Sequence, residues 1–422
     1  MVRCSEGERA KKQHLVIMVF FGFLLIEGIA LATNGDNLIG IGPVSRSMGG
    51  VGLAAPQDAI SAVFANPAAM CFCPGSVTPQ LEVATTLFFP TVHAHVQVPA
   101  AGIDSSAKSR STLFLIPALG FVMPLDHKWR FGMAAYGVSG MGVDYRNRLD
   151  INPAVPGHQG DIFSQYQVMK LAPNIAYLIN DNFSLGASFH LDYAVLDFGS
   201  RRASNYAVGL QLGTIYKIGP VFMGLSYSTP QTISHEDVYD FAFDGIQDTL
   251  KLELPQIAGL GLAYKPSDYF LIEANSKWIN WADAIGYKDF DWRNQWVYGL
   301  GVQYKPAAVA LRAGFNYGRN PVKAHNTFDS DTTRSVEGIN VPAFNYEYLR
   351  VIGFPAITET HVTFGAGYEF SKKLSANIGY THGFKNTISE TGSNFGGQGG
   401  PNATITSDLK EDSFELGVSL KF

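Results

Sequence analysis

From about residue 76 onward, apolar and polar residues alternate along the chain with a period of two. That is the pattern of strands with one apolar face. Leu374, Ala376, Ile378, Tyr380, His382 and Phe384 alternate with Ser375, Asn377, Gly379, Thr381 and Gly383. At the carboxy terminus, Phe414, Leu416, Val418, Leu420 and Phe422 share one face, and Ser413, Glu415, Gly417, Ser419 and Lys421 the other. About fourteen such runs can be counted: 76–92, 110–124, 129–145, 165–179, 183–199, 204–217, 221–233, 250–264, 269–285, 293–304, 308–318, 357–370, 374–388 and 410–422. A soluble sandwich and a membrane barrel both produce this alternation, and connection lengths separate them. Short turns at 126–128, 180–182, 218–220, 265–268, 305–307 and 371–373 interleave with mostly longer connections near 93–109, 146–164, 234–249, 286–292, 319–356 and 389–409. Such sorting predicts an all-β, transmembrane antiparallel β-barrel with short periplasmic turns and long outer loops.

The tryptophans fit a barrel as well. Trp129, Trp278, Trp281, Trp292 and Trp296 fall toward the ends of the runs, where interfacial girdle residues anchor a strand. Phe422, behind a run of this pattern, resembles the terminal signal that the barrel-assembly machinery reads, which makes that machinery an expected partner.

Residues 1–32 read as a signal peptide: Arg3, Arg9, Lys11 and Lys12 precede an apolar run from Leu15 to Ile26, followed by Ala30-Leu31-Ala32. The run is shorter than the ~20 residues of a spanning helix, and Glu27 interrupts any extension. Residues 33–75 break the period of two and are rich in Gly and Ala, with one short helix expected around 58–64. Leu38, Ile39, Ile41, Ile60, Val63, Phe64 and Met70 are poorly suited to a solvated tail, so this segment is expected to be an amino-terminal hatch inside the lumen. The barrel itself spans 76–422.

Composition narrows the function. Charged residues make up 16% of the chain, against about 25% in ordinary soluble domains. A net charge of -5 without a basic stripe gives no reason to expect nucleic acid. The chain has no G-x-S-x-G elbow, Walker loop or H-E-x-x-H motif, so an outer-membrane hydrolase is disfavoured and no cofactor is expected. His93 and His95 could share one strand face, but no third ligand is visible and no metal site is expected. Cys71 and Cys73 could form a strained bridge, stay reduced or bind metal, and a structural role ranks above a redox one. Glu273, Asn275, Lys277, Arg312, His190 and Asp192 are expected to face the lumen. There they either pair with one another and hold the hatch, the favoured reading, or line a permeation path.

The stretch Asn34-Gly35-Asp36-Asn37-Leu38-Ile39-Gly40-Ile41-Gly42-Pro43-Val44-Ser45-Arg46-Ser47-Met48-Gly49-Gly50-Val51-Gly52, followed by Asn66-Pro67-Ala68, resembles the hatch of the FadL/TodX family of outer-membrane transporters for long-chain fatty acids and other hydrophobic compounds. Phe131-Gly132-Met133 leading to Ser139-Gly140-Met141-Gly142 looks like the third strand of that family. Leu254-Pro255-Gln256, Trp278-Ile279-Asn280-Trp281 and Phe315-Asn316-Tyr317-Gly318 look like its later landmarks. The resemblance implies a monomeric fourteen-stranded barrel in the Gram-negative outer membrane, surrounded by lipid and lipopolysaccharide. It also implies passive uptake of a hydrophobic small molecule, most plausibly a long-chain fatty acid, with lateral release at a kink in the third strand. Gly137, Gly140 and Gly142 crowd that strand, and glycine commonly marks such a bulge. Leu38, Ile39 and Phe64 of the hatch, with Phe344 and Phe354 of the loop 319–356, are the candidate ligand contacts. One departure from the family is the short connection around Ser200 to Ala203, where relatives carry a long helical capture loop. The alternatives are a channel for aromatic or alkane hydrocarbons and a general polar-solute porin.

Overall fold

A computed structural model describes residues 34–74, 77–149, 162–199, 201–241, 245–397 and 399–422. The expected leader lies outside the described residues. The strands in chain order are β1 (Gln80–Val98), β2 (Ile103–Lys108), β3 (Phe114–Pro124), β4 (Trp129–Asp144), β5 (Phe163–Asn180), β6 (Phe183–Asp197), β7 (Arg202–Ile218), β8 (Val221–Ser228), β9 (Gln231–Tyr239) and β10 (Asp248–Leu254). They continue with β11 (Ile257–Ser267), β12 (Phe270–Ile279), β13 (Gln295–Tyr304), β14 (Val309–Gly318), β15 (Thr327–Asp329), β16 (Thr333–Val336), β17 (Ile339–Pro342), β18 (Thr360–Glu369), β19 (Leu374–Ser393) and β20 (Pro401–Lys421). Three short helices, α1 (Gly42–Arg46), α2 (Ala59–Ala65) and α3 (Ala343–Tyr348), complete the framework.

Fourteen strands pair in the order β19, β18, β14, β13, β12, β11, β8, β7, β6, β5, β4, β3, β1, β20, and β20 returns to β19 to close the barrel. Every wall pairing is antiparallel, as consecutive hairpins require. Alternation does what the sequence pattern predicts. Along β20, Phe414, Leu416, Val418 and Leu420 are exposed on the outside, whereas Glu411, Ser413, Glu415 and Ser419 are buried on the lumen side. Trp129 and Trp296 stand on the outer surface as girdle residues.

Trp281 and Trp292 do not. The run expected over 269–285 leaves the wall after Ile279, and both indoles are buried in an inward turn, where they and Tyr287 pack tilted or edge-on with centroid distances of 4.7 to 5.0 Å among the three rings. An aromatic cluster buries more apolar area there than two indoles at the interface would, so burial overrides the anchoring expected from sequence.

Residues 34–74 fill the lumen. Nearly all of them are buried, and the segment leans on the wall through Ile60, Val63 and Met70 on one side and Met48, Val51 and Ala54 on the other. Above this segment, the long connections pack into a second apolar core that includes Phe198, Phe241, Phe290 and Phe354.

Candidate functional site

The seat of the hatch is built from glycines in the wall. Asn66 is fully buried; its Oδ1 accepts from Ala68 N at 3.1 Å, and its Nδ2 donates to Leu53 O at 2.8 Å, Thr214 O at 3.1 Å and Leu225 O at 3.2 Å. A Cβ at Gly213 would lie 2.0 Å from Asn66 Oδ1, and one at Gly186 would lie 2.4 Å from the carbonyl carbon of Pro67. The Asn66-Pro67-Ala68 triplet therefore rests directly on wall backbone. On β12, Glu273 accepts from the N–H groups of Gly52, Ala54 and Ala55 at 2.9 to 3.2 Å. On β20, Glu415 accepts from Arg46 Nε at 2.7 Å, both side chains being wholly buried. Glu273 thus holds the hatch, whereas Arg312 bonds to Gln303 and Asn377, and Asp192 pairs with Lys170 at 3.0 Å.

The third wall strand carries an open edge. β3 pairs with β4 only from Pro124↔Arg130 to Ala118↔Tyr136, yet β4 continues to Asp144. On its other edge the register with β5 shifts between Gly137 and Ser139, which is a bulge at Val138. The unpaired stretch is covered by the hatch. Gly140 N donates to Asp36 O at 3.0 Å, Leu38 N donates to Val138 O at 3.2 Å, and Asn37 bridges Ser139. Gly35 has a φ of 68° and lies so close under Trp281 and Trp292 that a Cβ would come within 2.9 Å of the first ring and 3.0 Å of the second. Tyr287 donates its hydroxyl to Asp36 Oδ2. The buried aromatic turn thus presses the first hatch residues onto the open edge of β4. Gly142 lies beyond the covered part, beside a small cleft lined by Phe88, Phe114 and Met141.

Beside this edge lies a luminal cavity of about 90 Å³. Leu53, Phe64, Tyr136, Val138, Leu254 and Ile257 give it an apolar lining, and Lys170, His190, Gln231 and Lys277 are among its polar groups. Lys170 Nζ is committed, with Asp192 at 3.0 Å and Gln231 Oε1 at 2.5 Å. Lys277 is not. Its Nζ makes two long contacts, 3.4 Å to Ile39 O and 3.5 Å to Gly50 O, and sits 5.9 Å from the Phe64 ring centre. Of the candidate ligand contacts, Phe64 lines this cavity, while Leu38 and Ile39 are buried within the hatch. Phe344 and Phe354 lie in the outer loop core.

Among the described residues, His325, Glu347 and Glu390 have metal-like spacing. Arg350 occupies that position electrostatically: its Nη2 contacts Glu347 Oε2 and Glu390 Oε1, each at 2.5 Å. His325 Nδ1 lies 2.5 Å from Glu347 and its Nε2 3.0 Å from Asp291. The cluster is an ion-pair network that ties the loop bearing α3 to β19 and to the turn after β12. Its members are scattered between the loops and β19, and sequence reading missed them. It also missed the Trp281, Tyr287 and Trp292 clamp, whose signal was the density of aromatics in 281–292.

A closed antiparallel barrel with lipid-facing aromatics, a filled lumen and an apolar cavity beside an open strand edge defines an outer-membrane transport barrel. The profile of the family described as outer membrane protein transport protein (OMPP1/FadL/TodX) matches residues 37–215 and 199–330, and the chain belongs to that family, a family of the Gram-negative outer membrane. Among solved structures, it is similar to a Pseudomonas aeruginosa FadL homologue, with 15% identity and a TM-score of 0.68, covering 92% of this chain and 100% of that one. The Pseudomonas putida toluene transporter TodX gives 18% identity and a TM-score of 0.65 over 92% and 99%. The Ralstonia pickettii toluene transporter TbuX gives 14% and 0.61 over the same shares. At these identities the likeness concerns the fold. A search of curated proteins found no match.

Proposed function

We propose that this protein passively takes up long-chain fatty acids, binding them in the luminal cavity and releasing them sideways at the open edge of β4 around Gly137, Gly140 and Gly142. Lys277 carries the proposal. Among the described residues, no carboxylate lies within ion-pair distance of its ammonium group, which faces a cavity otherwise largely apolar. A buried ammonium group that meets only long carbonyl contacts and a ring face is poorly compensated, and a fatty acid supplies a carboxylate for it while its alkyl chain takes the apolar surface. An aromatic hydrocarbon offers that lysine only a ring face, which Phe64 already supplies. The cavity is well below the ~300 Å³ at which ligand pockets begin, so loading it requires a neighbouring element to move aside.

The test is uptake of labelled oleate, toluene and a small sugar by proteoliposomes, with the wild type and Lys277→Met. Loss of a hydrogen bond to a charged group, ~1.5–3 kcal/mol, predicts oleate affinity lower by roughly ten- to a hundredfold with toluene flux unchanged. Saturable toluene entering both proteins equally, with oleate indifferent to the substitution, would replace this reading with a hydrocarbon channel. Free passage of the sugar would make the protein a porin.

A further inference from the structure

The β4 edge is not the wall's only break in pairing. β8 and β9 are consecutive parts of one strand interrupted at Thr229-Pro230, and β10 and β11 are interrupted at Pro255-Gln256. Proline has no N–H to give a ladder, and two prolines at one level interrupt both strands together. Below the break, β8 pairs with β7 as far as Gln211↔Ser228. Above it, β9 and β10 pair only with each other, as a separate two-stranded sheet. Among the described residues, no backbone hydrogen bond joins Tyr206–Gly209 of β7 to β9. Among the described residues the fastenings of the seam lie toward its ends. Below, Thr229 N donates to Leu210 O at 2.9 Å and Leu210 N to Thr229 Oγ1 at 3.0 Å; above, Asn205 Nδ2 donates to Ser234 O at 3.1 Å and Arg201 Nη1 to Asp237 Oδ2 at 2.9 Å.

What lies on either side of this seam gives it a use. Outside, Tyr206, Val208 and Leu210 of β7 are each more than half exposed, whereas β9 and β10 present Thr232, Lys251 and Glu253, which places the seam at the upper rim of the hydrocarbon layer. An apolar groove of about 890 Å³ runs along the outer wall and includes Leu212, Leu225 and Tyr227 at the foot of the seam. Inside lies the luminal cavity, which shares Ser226 and Gly259 with that groove. Gln231 stands between the two. Its side chain packs on Gly209, where a Cβ would lie 2.4 Å from its Cγ, and its Oε1 accepts from Lys170. From the aqueous side the approach is filled by the packed aromatics of the loop core.

We propose that the β7–β9 seam is a second port in the barrel wall. Through it, a long-chain fatty acid already dissolved in the outer leaflet slides from the groove into the cavity past Gln231. Opening this port costs no ladder hydrogen bonds. The inference rests on the reading of the cavity as the transport site, with β4 as the way out.

The experiment uses the full-length protein in vesicles preloaded with a diazirine-bearing fatty acid, with photoadducts located by mass spectrometry. The variant Asn205→Cys/Ser234→Cys places a disulfide across the seam, and each single variant serves as control. In the wild type, adducts are expected on Leu225 in the groove and on Phe64 or Leu254 in the cavity. Oxidation of the double variant should lower cavity adducts at least tenfold while groove adducts persist, and reductant should restore them. Gln231→Trp, which fills the passage without a tether, should give the same loss. Undiminished cavity adducts in protein whose tether is complete by intact mass, or in Gln231→Trp, would overturn the port. Groove adducts without any cavity adduct in the wild type would instead remove the cavity reading, and the port with it.

Discussion

Gly213 and Asn66 form one of the tightest contacts between hatch and wall, and a single methyl group would break it. With a Cβ placed 2.0 Å from Asn66 Oδ1, Gly213→Val cannot accept the hatch in its present position. It is expected to leave a folded, heat-modifiable barrel with raised ion conductance in planar bilayers. Asn66→Ala removes bonds to three carbonyls and one N–H, and the orphaned groups make this a loss of about 2–4 kcal/mol. Hydrogen exchange of residues 34–74 measures that loss directly. At the β4 edge, Gly140→Val with Gly142→Val is expected to impair oleate uptake without unfolding the barrel; uptake at the wild-type rate would remove the lateral route.

Among the elements, the loop bearing α3 has the clearest pH dependence. Burial opposes ionisation of Glu347, but the hydrogen bond from His325 and the charge of Arg350 outweigh it and hold the carboxyl below its ordinary value of 4.5. A depressed carboxyl stabilises the fold fully above the unfolded value, and that stability is lost as pH falls through the lowered one. Protease cleavage within 319–356 should therefore stay low at neutral pH and rise as pH drops below 4.5. Arg350→Met leaves Glu347 and Glu390 buried together and should open the loop at neutral pH, at a cost of about 3–5 kcal/mol. The strands were legible in the sequence because a wall residue has only two environments, lipid and lumen, and Phe414 or Glu415 declares which it meets. The inward turn at Trp281, the ion pairs of Arg350 and the detachment of β9 were not. The turn closes on Gly35 and Asp36, and Arg350 reaches across to Glu390, contacts between distant segments that no local period records. Pro230 and Pro255 were the one local sign of the detachment, and period two continued across both.

At the scale of the whole molecule, the lumen is filled by residues 34–74. Removing them is expected to raise ion conductance in planar bilayers, and unchanged conductance would show that the segment is not a plug. The same deletion takes away the backbone that covers Val138 to Gly140, so lipid contact at that edge should increase, as read by quenching from nitroxide lipids.

The wall is closed by its first and last strands, β1 and β20, paired from Gln80↔Lys421 to Gln97↔Thr404. Among the described residues, the one buried salt bridge that the hatch makes, Arg46 to Glu415, ends on that last strand. The first segment of the chain is thereby tied to its last strand, so the contents of the barrel are fastened to the strand that completes its wall.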